Sequence, residues 1–243
     1  MITTANTILV TTTRPAHAVS DKRISNLIRA FSKFPIPIII TDYVTKDEPL
    51  HKISCDMITT AIHTFKNTAA DYAIVCDNDF QPINNFLKEL NATVAVLPPT
   101  WRCLHLCPGF LWGRKFRDMT KIGHQNPEQS MAGFAYHPSG RVYINANPDI
   151  YYSRKMWLGG PTAILFNKRT VDSFLAEFQD QYAKCALNND VIFTKILTPN
   201  DFVCREPQLG HENEEGGTTF IKNLTQTVSK TVYKPMMHPL RRF

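Results

Sequence analysis

Short runs of branched apolar residues alternate with longer segments of helical period along the first third of the chain. TILVTTT, residues 7–13, is brief, apolar and β-branched, and predicts a strand. SDKRISNLIRAFSKF then places Ile24, Leu27, Ile28 and Phe31 at helical spacing behind Ser20, a residue suited to an N-cap. IPIIIT at 36–41 predicts a second strand, SCDMITTAIHTFKNT at 54–68 a second helix, and YAIVC at 72–76 a third strand. The order is βαβαβ. Nearly continuous apolar strands with helix-length crossovers predict an α/β fold with a mainly parallel sheet covered on both faces, whose ligands collect at the strands' carboxyl ends. Later, TAILF at 162–166 reads as a strand, NNDVIFTKIL at 188–197 as an amphipathic helix, and FVC at 202–204 as the last strand.

Composition narrows the class. With 243 residues, 43% hydrophobic and 20% charged, the chain suits one large core or two closely joined halves, and disorder is not expected. No window approaches the roughly 18 uninterrupted apolar residues of a membrane span. MITTANTILV lacks a basic leader, so no transmembrane segment and a cytoplasmic location are expected. The six cysteines form no C-x-x-C pair and read as reduced thiols. The net charge of +6 favours an anionic ligand without choosing it. WGRKFRDMTK at 112–121 and the terminal PLRRF are basic but carry no RNA-binding signature, and no nucleic-acid partner is expected.

The third strand ends in Asp77, Asn78 and Asp79. No G-x-G-x-x-G follows the first strand and no G-x-x-x-x-G-K-[ST] occurs, so glycine-loop amides do not hold a phosphate here. A divalent cation is the remaining way to neutralise a diphosphate, and Mn2+ or Mg2+ takes carboxylate oxygens. Alternate strand residues point to opposite sides, so joint coordination by Asp77 and Asp79 requires a turn at Asn78 or a bridging water. D-x-D also ends strands with no ligand. Its context here includes Asp42 beyond the second strand, and Thr11, Thr12, Thr13 and Arg14 at the end of the first, all placed to meet a nucleobase, ribose or phosphate.

The ordered blocks ILVTTTRP, IIITD, YAIVCDNDFQP and MWLGGPTAILFNKRTVDSFL resemble the nucleotide-sugar glycosyltransferases of the single-domain A-type fold. LGGPTAILFNKRTVDSFLAEF, NNDVIFTKIL and CREPQLGHENEEGGTT are similar in order and spacing to the collagen and lipooligosaccharide galactosyltransferases, and small glycosyltransferases of large algal viruses are also similar. The narrower family carries Glu-Asp-Asp where this chain has Asp77-Asn78-Asp79. The resemblance spans roughly residues 7 to 220. It implies one glycosyltransferase domain over 1–243: a nucleotide-sugar-binding half (1–100), an acceptor-binding and catalytic half (101–220), and a C-terminal helix with a basic tail (221–243).

The second half has matching chemistry. Gly159 and Gly160 precede TAILF and would let a donor sugar approach the backbone, or simply make a turn. Asp190, in the first turn of a helix capped by Asn188 or Asn189, is the expected general base of an inverting transfer, although a helix start also favours a carboxylate for its dipole alone. GHENEEGG at 210–217 carries His211, which the resemblance implies as a third metal ligand; Glu212 and Glu214 are the next bases in line. CLHLC puts Cys103, His105 and Cys107 on one face if extended, but a structural zinc site needs a fourth ligand. Part of 98–153 is expected to form a lid. The expected activity is transfer of a hexose or pentose from a nucleotide-diphosphate sugar, a UDP-sugar first, to a glycan or glycoprotein acceptor. A nucleotidyltransferase or a non-catalytic nucleotide- or carbohydrate-binding module are the alternatives.

Overall fold

The computed structural model describes residues 2–13, 18–42, 50–108, 134–145, 161–185, 189–205 and 209–212. In chain order these form β1 (Thr7–Thr13), α1 (Ala18–Phe31), β2 (Ile38–Asp42), α2 (Leu50–Lys66), β3 (Tyr72–Cys76), β4 (Phe80–Pro82), α3 (Phe86–Val94), β5 (Cys103–Pro108), β6 (Phe134–Tyr136), β7 (Val142–Asn145), β8 (Pro161–Asn167), α4 (Val171–Cys185), α5 (Asn189–Ile196), β9 (Asp201–Cys204) and β10 (Gly210–Glu212). The predicted βαβαβ unit is β1 to β3. Its helices start earlier than their spacing suggests: α1 begins at Ala18, so Ser20 lies within it instead of capping it, and α2 begins at Leu50.

Eight strands form the main sheet in the order β2-β1-β3-β8-β5-β9-β7-β6, and β10 pairs with β4 in a second, two-stranded sheet. Six of the eight run one way. β8 is antiparallel to both β3 and β5, and β7 is antiparallel to β9 and β6. The mainly parallel sheet is thus interrupted by reversed strands, of which β8 is the TAILF segment. FVC is not the last strand, because β10 follows it.

Alternation along each strand divides the interior in two. Leu9, Ile74, Leu104 and Leu165 face one side, where Leu27 and Phe31 of α1 and Phe86 and Leu90 of α3 cover them. Ile8, Val10, Ala73, Val75, Ile164 and Phe166 face the other, under α2, α4 and α5. At the amino ends of β5 and β9, Arg102 Nε and Nη2 donate to the two carboxylate oxygens of Asp201 at 3.0 and 2.6 Å, and Nη1 donates to Glu177 of α4 at 2.7 Å. This buried fork fixes how the second half of the sheet docks on its helices. Asn91, which opens the N-x-T triplet Asn91-Ala92-Thr93, is engaged within the fold: Oδ1 accepts from the Ile2 amide at 3.0 Å and Nδ2 donates to the Leu87 carbonyl at 3.1 Å.

A bulge disposes of the zinc arrangement. Pairing of β5 with β8 shifts between His105 and Cys107, so Cys107 joins the α1/α3 side while Cys103 stays on the α2/α4/α5 side. His105 lies edge-on to Phe193 of α5, with ring centroids 5.7 Å apart, and among the described residues neither ring nitrogen has a hydrogen-bond partner. Burial holds its pKa down at about 4, against a weaker upward pull from Asp201. A folded pKa below the unfolded value means that stability is complete above about 6.5 and declines as pH falls towards 4. Between pH 7 and 4 the parent should therefore lose about 3 kcal/mol more than His105→Leu in urea unfolding. Equal losses would show that His105 does not set the acid limit.

Candidate functional site

The run Asp77-Asn78-Asp79 is the connection between β3 and β4. The Asp77 amide donates to the Thr162 carbonyl at 2.9 Å, which anchors the end of β3 to the start of β8. The Phe80 amide then donates to the Asp77 carbonyl at 3.2 Å, closing a tight turn through Asn78 and Asp79. This is the bend that joint use of the two carboxylates requires. Phe80 anchors its far side, fully buried against Phe31 and Phe86 with ring centroids 6.1 and 6.3 Å away. Asn78 is buried too.

Tertiary pairing adds β10. His211 stands opposite Gln81, with Gly210 opposite Pro82 and Glu212 opposite Phe80. Gly210 has a steric reason to be glycine: a Cβ there would sit 2.1 Å from the Phe80 ring and 2.6 Å from the Gln81 carbonyl oxygen. The imidazole of His211 is exposed. No group of three His, Cys, Asp or Glu among the described residues is disposed to hold a metal ion.

Several polar atoms on β1, β2, β4 and the turn after β3 lack partners among the described residues. Thr13 Oγ1, Thr41 Oγ1, Asp79 Oδ1 and Gln81 Nε2 are buried and make no hydrogen bond among the described residues. Buried polar atoms normally have partners, and their lack at Thr13 and Asp79, at the carboxyl ends of β1 and β3, suits a polar ligand. Asp79 is the most costly of these. Burial raises its carboxyl pKa, while Arg23 on α1, with Nη1 3.5 Å from Oδ2, pulls it down without cancelling that rise. A hard cation would satisfy the Asp79 oxygen that lacks a partner among the described residues, and a carboxylate oxygen is the donor such an ion takes.

The remaining predicted residues divide. Thr11 is spent on the fold, its hydroxyl donating to the Cys76 carbonyl at 2.9 Å. Thr12 is buried beside Thr41, and Thr13 pairs in register with Asp42, which is exposed at the end of β2. Asp190 lies in the first turn of α5, and the neighbouring Asn189 amide donates to Ser54 Oγ of α2 at 3.4 Å. Since α2 leads from the carboxyl end of β2 to the start of β3, this bond places the start of α5 on the same sheet edge as the carboxylate turn. The side chains of Asp190 and Glu212 lie outside the described residues, as do Arg14, Gly159, Gly160, Glu214, residues 109–133 and 146–153 of the stretch expected to supply a lid (the basic run 112–121 among them), and 221–243.

No family model and no curated protein sequence matches the chain. Among solved structures, it superimposes on a glycosyltransferase involved in glycosylation of the major capsid of PBCV-1, with a TM-score of 0.50 and 9% identity over 91% of this chain and 98% of that one. The chain has the single-domain A-type glycosyltransferase fold. Drosophila beta-1,4-galactosyltransferase 7, crystallised as a mutant with manganese, UDP-Gal and xylobiose, is a weaker match: TM-score 0.38, 12% identity, 84% of this chain and 66% of that one. Mouse xyloside xylosyltransferase 1 gives 0.37 and 13%, over 81% and 70%.

Arg23, which approaches Asp79, and Thr41 and Gln81, whose buried polar atoms lack partners among the described residues, are not singled out by the sequence pattern. Arg23 had one available signal. It precedes Leu27 and Phe31 at intervals of four on α1, so a cation occupies the apolar stripe where the helix nears the strand ends. No helix among the described residues is long and apolar enough to cross a membrane.

Proposed function

We propose that this protein is a metal-dependent glycosyltransferase that moves a hexose or pentose from a nucleotide-diphosphate sugar, a UDP-sugar first, to a glycan or glycoprotein acceptor. The observation that carries the proposal is the carboxylate turn: Asp77 and Asp79 at the end of β3, with Asp79 Oδ1 buried and without a partner among the described residues, on an A-type fold. These two residues would hold Mn2+ or Mg2+, with His211 of the adjoining strand as the proposed third ligand. When bound, the ion offsets the charge that develops on the leaving diphosphate. Thr13, Arg14, Asn78 and Asp42 border the nucleotide, with Thr11 and Thr12 supporting that end of β1. Gly159 and Gly160 leave room for the donor sugar ahead of β8. Asp190, at the same edge, takes the proton of the acceptor hydroxyl. The alternating-face geometry that separates strand residues is overcome here by the Asn78–Asp79 turn, which supports the use of both carboxylates.

The test is a panel of nucleotide sugars incubated with the protein, with and without manganese, and read by mass spectrometry. Release of UDP from one UDP-sugar only when manganese is present is expected. An absence of hydrolysis and transfer across the panel with manganese would overturn the proposal and leave a binding module.

A further inference from the structure

Arg23 occupies a place where packing alone asks for a hydrophobe. Leu27 and Phe31 are fully buried on the same stripe of α1, whereas Arg23, one turn closer to the strand ends, keeps 22% of its side chain exposed. Its contact with Asp79 is loose. At 3.5 Å, Nη1 to Oδ2 exceeds the roughly 2.7–2.9 Å of a charge-assisted hydrogen bond, and among the described residues the other carboxylate oxygen has no partner. A guanidinium can grip a carboxylate through two parallel bonds, as Arg102 does with Asp201 in this same protein. Arg23 does not grip Asp79 in that way.

We infer that Arg23 stands in for the cation in the ligand-free protein and transfers its charge to the diphosphate when cation and donor bind, so that metal and nucleotide bind cooperatively. The inference rests on the proposed function and concerns a positioning residue of the same site. Without a ligand, the guanidinium partly neutralises a carboxylate that burial already disfavours. A cation coordinated by Asp79 has that guanidinium as an immediate neighbour, and the like charges repel. A diphosphate attracts both, and the long, flexible arginine stem lets the head group turn towards it. Metal alone is therefore opposed by Arg23, whereas metal with nucleotide is helped by it. By linkage, each ligand must strengthen the other by the same factor.

Calorimetry on the full chain separates the two states, using manganese alone, UDP alone, and UDP at saturating manganese. In the parent, UDP should tighten manganese binding. Arg23→Gln should bind manganese alone about three- to tenfold more tightly and manganese-loaded UDP more weakly, the range covered by one partly screened charge. The mutual enhancement should fall about tenfold or more. Arg23→Lys should restore most of it, and Arg23→Met, which fills the stripe, should repeat the glutamine result at an undiminished melting temperature. Unchanged enhancement in Arg23→Gln overturns the inference while the proposed function stands. Equal weakening of both ligands, unrescued by lysine, also overturns it and makes Arg23 a structural residue. A parent that binds neither manganese nor UDP with manganese overturns the inference and the proposed function together.

Discussion

Manganese-dependent binding of UDP is expected to fall at least about 100-fold in Asp79→Asn, since even groups that only support metal ligands cost 10- to 100-fold when removed. The amide keeps the size of the side chain and its place in the turn, and removes the charge that a hard cation requires. Folding should not suffer. The folded pKa of Asp79 lies above its ordinary value, chiefly through burial, so the native state binds that proton more tightly than the unfolded chain does. The stability from this group is present below the unfolded pKa and is lost as pH rises through the folded one. At neutral pH the buried charge is a cost that asparagine removes, and Asp79→Asn should melt no lower than the parent. Calorimetry with and without manganese, alongside thermal melts, reads both effects. Parent-like metal-dependent affinity would remove Asp79 from the site. Lost affinity with a collapsed melting temperature would show that the charge serves the fold instead.

Asp190→Asn is expected to slow transfer by roughly 10²- to 10⁴-fold while leaving affinity for UDP with manganese unchanged, the pattern of a base that acts only as the new bond forms. The start of α5 lies on the sheet edge that carries the carboxylate turn, through the bond from Asn189 to Ser54. A second role must be separated from catalysis. A negative charge in the first turn of a helix also stabilises it, by about 0.3–1 kcal/mol, so melts should accompany the kinetics. Transfer at the parental rate would return Asp190 to this helical role. Glu212 and Glu214 would then be the bases to replace, and NMR of the product's anomeric configuration would tell whether a separate base is needed at all.

Both experiments start from residues that were visible in the sequence, and the reason is local. The strands β1 and β3 were legible to the residue because unbroken β-branched and apolar runs end abruptly in polar residues. Asp77 and Asp79 could be placed at a strand's carboxyl end by the same boundary. Helix starts were less legible. As described, α1 and α2 begin at Ala18 and Leu50, ahead of the segments whose apolar period marks them in the sequence. The three-residue strands β4 and β10 are too short for alternation to be recognised, and only their pairing gives them meaning.

The sequence by itself determined the βαβαβ unit, the two apolar faces and the position of the carboxylates, because each depends on the period and limits of a single segment. Tertiary structure decided the reversal of β8 between β3 and β5, the bulge that sends Cys107 away from Cys103, the strand that brings His211 opposite Gln81, and the approach of Arg23 to Asp79. Each of these joins residues far apart along the chain. Such contacts arise when separate apolar faces are buried together, and no local pattern specifies which polar side chains then meet at the edge.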